Sequence, residues 1–290
     1  MSMADARLAR FLDGLYFGEA PRWRDDGLYL SDISGGRVLF VDEEARATTV
    51  VELDGRPSGL GWLPDGRLLV VSMLDHRLLR LDDDGLVAVA DLSPLCGGHA
   101  NDMVVDSRGH AFIGNLGFDI EGIAPEDLDV RSTNLIRVDP DGSVHCVAED
   151  MWGPNGMALS EDERLLVVAE PAAARLTAFD LAEDGSLSGR RVFATLADGA
   201  VPDGICLDAE GAVWMGSPTT REFLRVQDGG AVLDRISTGD RIAIACVLGG
   251  EDRQTLFCIT SESMGIDASA AEPRGRVEIA RVDVPGAGVP

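Results

Sequence analysis

The chain has 290 residues, with 50 acidic side chains against 25 basic ones and a formal charge of −25. Every base is arginine, so a Schiff-base lysine, a phosphate-loop lysine and an S-x-x-K nucleophile are excluded. The acidic balance, with no basic block, argues against nucleic acid or an anionic membrane as a partner, and no apolar run approaches the ~20 residues that span a bilayer.

The first twenty residues carry Asp5, Arg7, Arg10, Asp13 and Glu19, a pattern unlike a secretory signal. The five cysteines (Cys96, Cys146, Cys206, Cys246 and Cys258) are scattered and show no CxxC spacing. They read as reduced thiols in a cytoplasmic protein, filling strand cores rather than forming disulfides or a zinc site.

Read in chain order, one pattern returns six times: an apolar strand, a tight turn, and a second apolar strand. The first turn is Asp26-Gly27, with its exit strand at 28–30, a third strand at 37–42 and a fourth at 48–53. The second is Asp65-Gly66, followed by strands at 67–71, 77–82 and 87–92. The third is Arg108-Gly109, followed by 110–113, an insertion over 116–133, then 134–139 and 144–148. The fourth and fifth turns are Asp162-Glu163 and Glu210-Gly211, with exit strands at 164–168 and 212–215 and third strands at 175–180 and 222–226. The sixth is Arg253-Gln254, followed by 255–259, an insertion over 262–275, and a third strand at 276–283.

Four antiparallel strands per ~45 residues, repeated radially, predict a single all-β domain over 1–290, a six-bladed β-propeller. The sixth unit lacks a fourth strand, and residues 6–12 at the N-terminus are a spare one. That segment is expected to complete the last blade and close the ring, which removes open sheet edges. The insertions 116–133 and 262–275 are candidate lids.

Equivalent positions in a propeller surround one axis. Eight residues before each turn anchor stand Glu19, Ser58, Asn101, Asn155, Asp203 and Cys246. Four of these are carboxylates or carboxamides, expected at one mouth of the channel. Carboxylates crowded there repel each other, and a hard divalent cation relieves both the repulsion and the unmet polar valence. An oxygen-only donor set suits Ca²⁺ best, with Mg²⁺ or Mn²⁺ as alternatives. A lone Asn-Gly or Asp-Gly is ordinarily just a turn; the signal lies in the shared register. Asp102, next along its strand from Asn101, is expected to point away from the mouth and act structurally. Met73, Trp152 and Met264 are candidates for an apolar pocket or for core. His76, His110 and His145 are given no chemistry.

The strings GEAPRW (18–23), PSGLGWLPDGRLLVVSM (57–73), ANDMVVDSRGHAFIGN (100–115), GPNGMALSEDERLLVV (153–168) and PDGICLDAEGAVW (202–214) resemble the SMP-30/gluconolactonase/LRE-like family over nearly the whole chain. The resemblance implies a six-bladed propeller holding one divalent cation, commonly Ca²⁺ and in some members Zn²⁺. It places metal ligands at Glu19, Asn155 and Asp203. Asn101 matches a position that contacts substrate in sugar lactonases and the metal in phosphotriesterase-like relatives. Asp203 is implied as both ligand and general base. Asp119 matches an acidic substrate contact of some members. Sugar-lactone members often carry arginine two residues before the Asn; here it is His99, a second candidate base and substrate contact. The implied function is hydrolysis of a small-molecule lactone or related ester by water. Phosphotriester hydrolysis on the same metal, and a non-catalytic binding propeller, are the competing readings. No GxSxG elbow supports a serine triad.

Overall fold

The structure, a computed structural model, describes residues 7–119, 129–265 and 271–288. Among these, 24 strands form six four-stranded antiparallel sheets, arranged as a six-bladed β-propeller. The first blade runs outward through Gly18–Arg24, Gly27–Asp32, Arg37–Val41 and Ala47–Glu52. The other innermost strands are Pro57–Trp62, Ala100–Val105, Met157–Leu159, Ile205–Leu207 and Ile242–Gly249. The last blade is closed by the N-terminus, as expected. The closing strand is Ala9–Leu15 rather than 6–12, and it pairs antiparallel with Gly275–Arg281. The parts of the two long insertions at 120–128 and 266–270 lie outside the described residues.

Each blade is buried on both faces, which is why its middle strands read as nearly continuous apolar runs. In Leu165–Glu170, Leu166 and Val168 face the third blade, whereas Val167 and Ala169 face the fifth. The same alternation sends Trp214 to the sixth blade and Val213 and Met215 to the fourth. Six apolar clusters result, one in each gap between neighbouring blades.

At the axis the constraint is steric. Neighbouring innermost strands approach so closely that a residue with a side chain does not fit at several points. A Cβ on Gly59 would lie 2.5 Å from the Met103 amide nitrogen, and one on Gly156 would lie 2.5 Å from the Asp203 carbonyl oxygen. These are the glycines of PSG and PNG, so each also fixes the residue just before it at the channel mouth. A pairing irregularity follows that residue in the first three blades, between Glu19 and Arg22, Pro57 and Leu60, and Ala100 and Met103. Such bulges re-aim a side chain out of the regular alternation. Ala20 accepts a left-handed backbone there, with φ 47°.

The sixth position differs from the sequence expectation. Cys246 pairs with Cys258 in mid-strand and packs between the fifth and sixth blades. The position beside Asp203 is taken by Ile244 and Ala245: the Gly204 amide donates to the Ile244 carbonyl at 3.0 Å. The left-handed residue of that hairpin is Arg253, not Gln254, and the strands beyond it run longer, so a fixed count overshoots.

Gly156→Ala should therefore destabilise the fold by about 1–3 kcal/mol, because the obstacle is backbone and cannot rotate away. Denaturant unfolding of the variant checks this; an unchanged midpoint would mean that the strands are not held so close.

Candidate active site

Four blades each deliver one polar side chain to the same end of the channel. Glu19, Asn101, Asn155 and Asp203 are all buried, and all four line one cavity of about 560 Å³. The remainder of the wall is apolar, with Phe17, Ile33, Met73, Leu116, Phe118 and Val201 prominent. Met264 reaches its rim while staying 49% exposed.

Within the floor, Asn155 Nδ2 donates to Asp203 Oδ1 at 2.6 Å, and Ser58 Oγ donates to Asn101 Oδ1 at 3.3 Å. Glu19 Oε2 accepts the Ala20 amide at 3.0 Å. Burial pushes the Glu19 carboxyl well above the usual range, and repulsion from Asp203 and Asp102 adds to it. Asp203 is pushed up to about 7 by burial and by Asp102, against the opposing Asn155 hydrogen bond. Two buried carboxyl groups whose charge is opposed by burial and by neighbouring carboxylates are the condition a bound cation relieves. Among the described residues no three His, Cys, Asp or Glu side chains converge as a metal cluster. An ion here therefore depends on carboxamide oxygens as well, a hard-donor set that fits Ca²⁺ or Mg²⁺ chemistry rather than a thiophilic metal.

Asp102 does point away from the cavity. It forms a buried ion pair with Arg22 at 2.8 Å, across the axis from the first blade to the third, and Arg22 also donates to the Met103 and Pro21 carbonyls. The pair links the innermost strands of two blades beneath the floor.

His99 and Asp119 are not brought to the wall. His99 is buried with Nε2 3.5 Å from Asp119 Oδ1, and its backbone bonds to Phe118 and Leu116. The two side chains meet each other one step out from the cavity, joined to it through Phe118. Met73 and Met264 line the cavity, whereas half-exposed Trp152 does not. His110 and His145 pair with Asp106 and Asp139.

A second set of polar residues escaped the sequence reading. It stands at the inner-mouth end of the second strands. Asp32 accepts the Tyr16 and Phe17 amides at 2.9 Å, and Asn115 accepts the Gly97 amide at 3.0 Å. Glu170 accepts the Trp152 amide at 2.8 Å, and Ser217 accepts the Val201 amide at 3.3 Å. Each ties the loop that leads into Glu19, Asn101, Asn155 or Asp203. The signal was present in sequence as a polar residue closing an apolar exit strand: LYLSD, AFIGN, LLVVAE and VWMGS.

The SMP-30/Gluconolactonase/LRE-like region model matches residues 17–263. A 6-deoxy-6-sulfogluconolactonase of Pseudomonas putida is 29% identical over 283 residues, covering 94% of each chain. Regucalcin of Danio rerio is 29% identical, covering 87% of this chain and 85% of its own. The solved structure of a gluconolactonase from Xanthomonas campestris superposes with a TM-score of 0.73 at 26% identity, covering 96% of this chain and 90% of that one.

Glu170 yields a pH prediction. Burial favours its neutral form, but Arg175, Thr177 and the Trp152 N–H outweigh this and hold the carboxyl below its ordinary value of 4.5. A depressed folded pKa stabilises the fold above the unfolded value and ceases to do so as pH falls through the folded one. Glu170→Gln should lower Tm near pH 7, and its deficit against the parent protein should shrink as pH is lowered from about 6 to about 3. A deficit that is constant with pH would refute the role of the charge.

Proposed function

The chain belongs to the SMP-30/gluconolactonase/LRE-like family, and we propose that it is a divalent-cation-dependent hydrolase of a lactone or related cyclic ester. One observation carries the reading: oxygen-bearing side chains from four blades meet on the floor of a single, otherwise apolar cavity. The names of the relatives from Pseudomonas putida and Xanthomonas campestris, both lactonases, support the reaction class.

Glu19, Asn155 and Asp203 are the proposed metal ligands, with Asn101 completing the set or orienting the substrate carbonyl. A hard cation seated there supplies Lewis-acid polarisation of that carbonyl. Ca²⁺ is the preferred ion, by the donor chemistry. Asp203 is the proposed general base. It faces the cavity, and Asn155 holds Oδ1 in place. It takes a proton from water as the water oxygen adds to the carbonyl carbon. The proton then goes to the ring oxygen as that C–O bond breaks, and a hydroxy acid leaves. His99 is not favoured as base, because the cavity wall does not include it.

Two outcomes are expected. A cation at a hundredfold excess over its Kd should stabilise the fold by about 2.7 kcal/mol, raising Tm, and a chelator should remove both this gain and the activity. If neither quantity responds to chelator, the metal reading is wrong. Asp203→Asn, assayed at saturating cation, should lower kcat at least about a hundredfold; an undiminished kcat would acquit Asp203 as base.

A further inference from the structure

Beyond the four floor residues, the cavity offers a substrate almost nothing polar. Among the described residues, the only other lining side chain with a hydroxyl, amide or charge is Thr219, and its Oγ1 already donates to the Gly199 carbonyl at 2.7 Å. No arginine or histidine among the described residues lines the wall.

A hydroxyl or sulfonate carried into such a cavity loses its water and finds no partner, whereas a methylene or aryl ring gains by burial. The wall is also continuous: Phe17 and Ile33 of the first blade, Met73 of the second and Phe118 of the third surround the floor. Met264, 49% exposed, stands at the rim, where a bound apolar group would cover it. A cavity of about 560 Å³ has room for more than a bare five- or six-membered ring.

We propose that the substrate of this site is an uncharged lactone bearing an alkyl or aryl substituent, not a polyhydroxylated or anionic sugar lactone. The proposal rests on the lactonase reading for the reaction and on the cavity wall for the specificity. Floor residues hold the ester group, and the apolar wall, which includes Met73, Phe118 and Met264, receives the substituent.

The test uses the full chain with Ca²⁺ and compares kcat/KM for δ-hexalactone, δ-octalactone, δ-decalactone, dihydrocoumarin and glucono-δ-lactone. The expected result is a rise of roughly three- to fourfold per added methylene until the cavity is filled, with glucono-δ-lactone at least about a hundredfold below δ-decalactone. Phe118→Asn and, at the exposed rim, Met264→Gln should each flatten the chain-length series. A flat series in the parent protein, or a preference for glucono-δ-lactone, overturns the proposal. Calorimetric binding of chroman, the dihydrocoumarin ring system without its carbonyl, provides a readout that needs no turnover. Chroman should bind, and Phe118→Asn should weaken it about tenfold; no binding by the parent protein also overturns the proposal. Chroman binding with no hydrolysis of any lactone under Ca²⁺, Mg²⁺, Mn²⁺ or Zn²⁺ would refute the reaction assignment and leave the apolar specificity standing.

Discussion

The close approach of six strands at one axis governs this molecule. Where those strands meet there is no room for a Cβ at Gly59 or Gly156, and the residues just before them are turned into the channel. The same convergence drives the carboxyl groups of Glu19 and Asp203 into one buried space, where burial and nearby carboxylates make ionisation of each harder. Nothing about either residue alone would produce that. An electrostatic deficit built into the floor is the direct consequence of packing sheets radially around an apolar ring of clusters.

The floor is rigid for reasons that can be named. Beneath it, the buried Arg22–Asp102 pair spans the axis and uses its remaining donors on backbone carbonyls. Around it, Asp32, Asn115, Glu170 and Ser217 bind the amides of the entering loops. The wall differs in origin. It is made by residues at the ends of strands and in the connections between them, such as Phe17, Phe118 and Met264, which no ladder register dictates. The polar floor is thus set by the repeat and the wall by what departs from it, the division expected when sites are grafted on a common scaffold.

Reading the chain without coordinates recovered the blades because the turn signals are local: Asp-Gly and Arg-Gly between apolar runs, at a steady interval. It brought out the four floor residues because GEA, AND, PNG and PDG stand in one register of the repeat. It went astray where geometry left the repeat. A count of eight from Gln254 reached Cys246, although the sixth hairpin carries its left-handed residue at Arg253 and the ring position falls at Ile244–Ala245. The closing strand was placed three residues early, since pairing with Gly275–Arg281 sets its limits, not its own alternation. The contact of His99 with Asp119 joins two loops and has no signature in local spacing.

What the sequence determined by itself was the period, and with it the number of blades, the alternation of apolar faces and the identity of four polar residues in equivalent places. These follow from hydrogen-bonding and burial rules that act over a few residues at a time. Only the tertiary structure decided which side chains share a volume: that Asp203 and Asp102 oppose ionisation of Glu19, that Arg22 reaches Asp102 from 80 positions away, and that the surrounding wall is greasy. Those are properties of distance in space, and distance in space is set by how sheets pack, not by spacing along the chain.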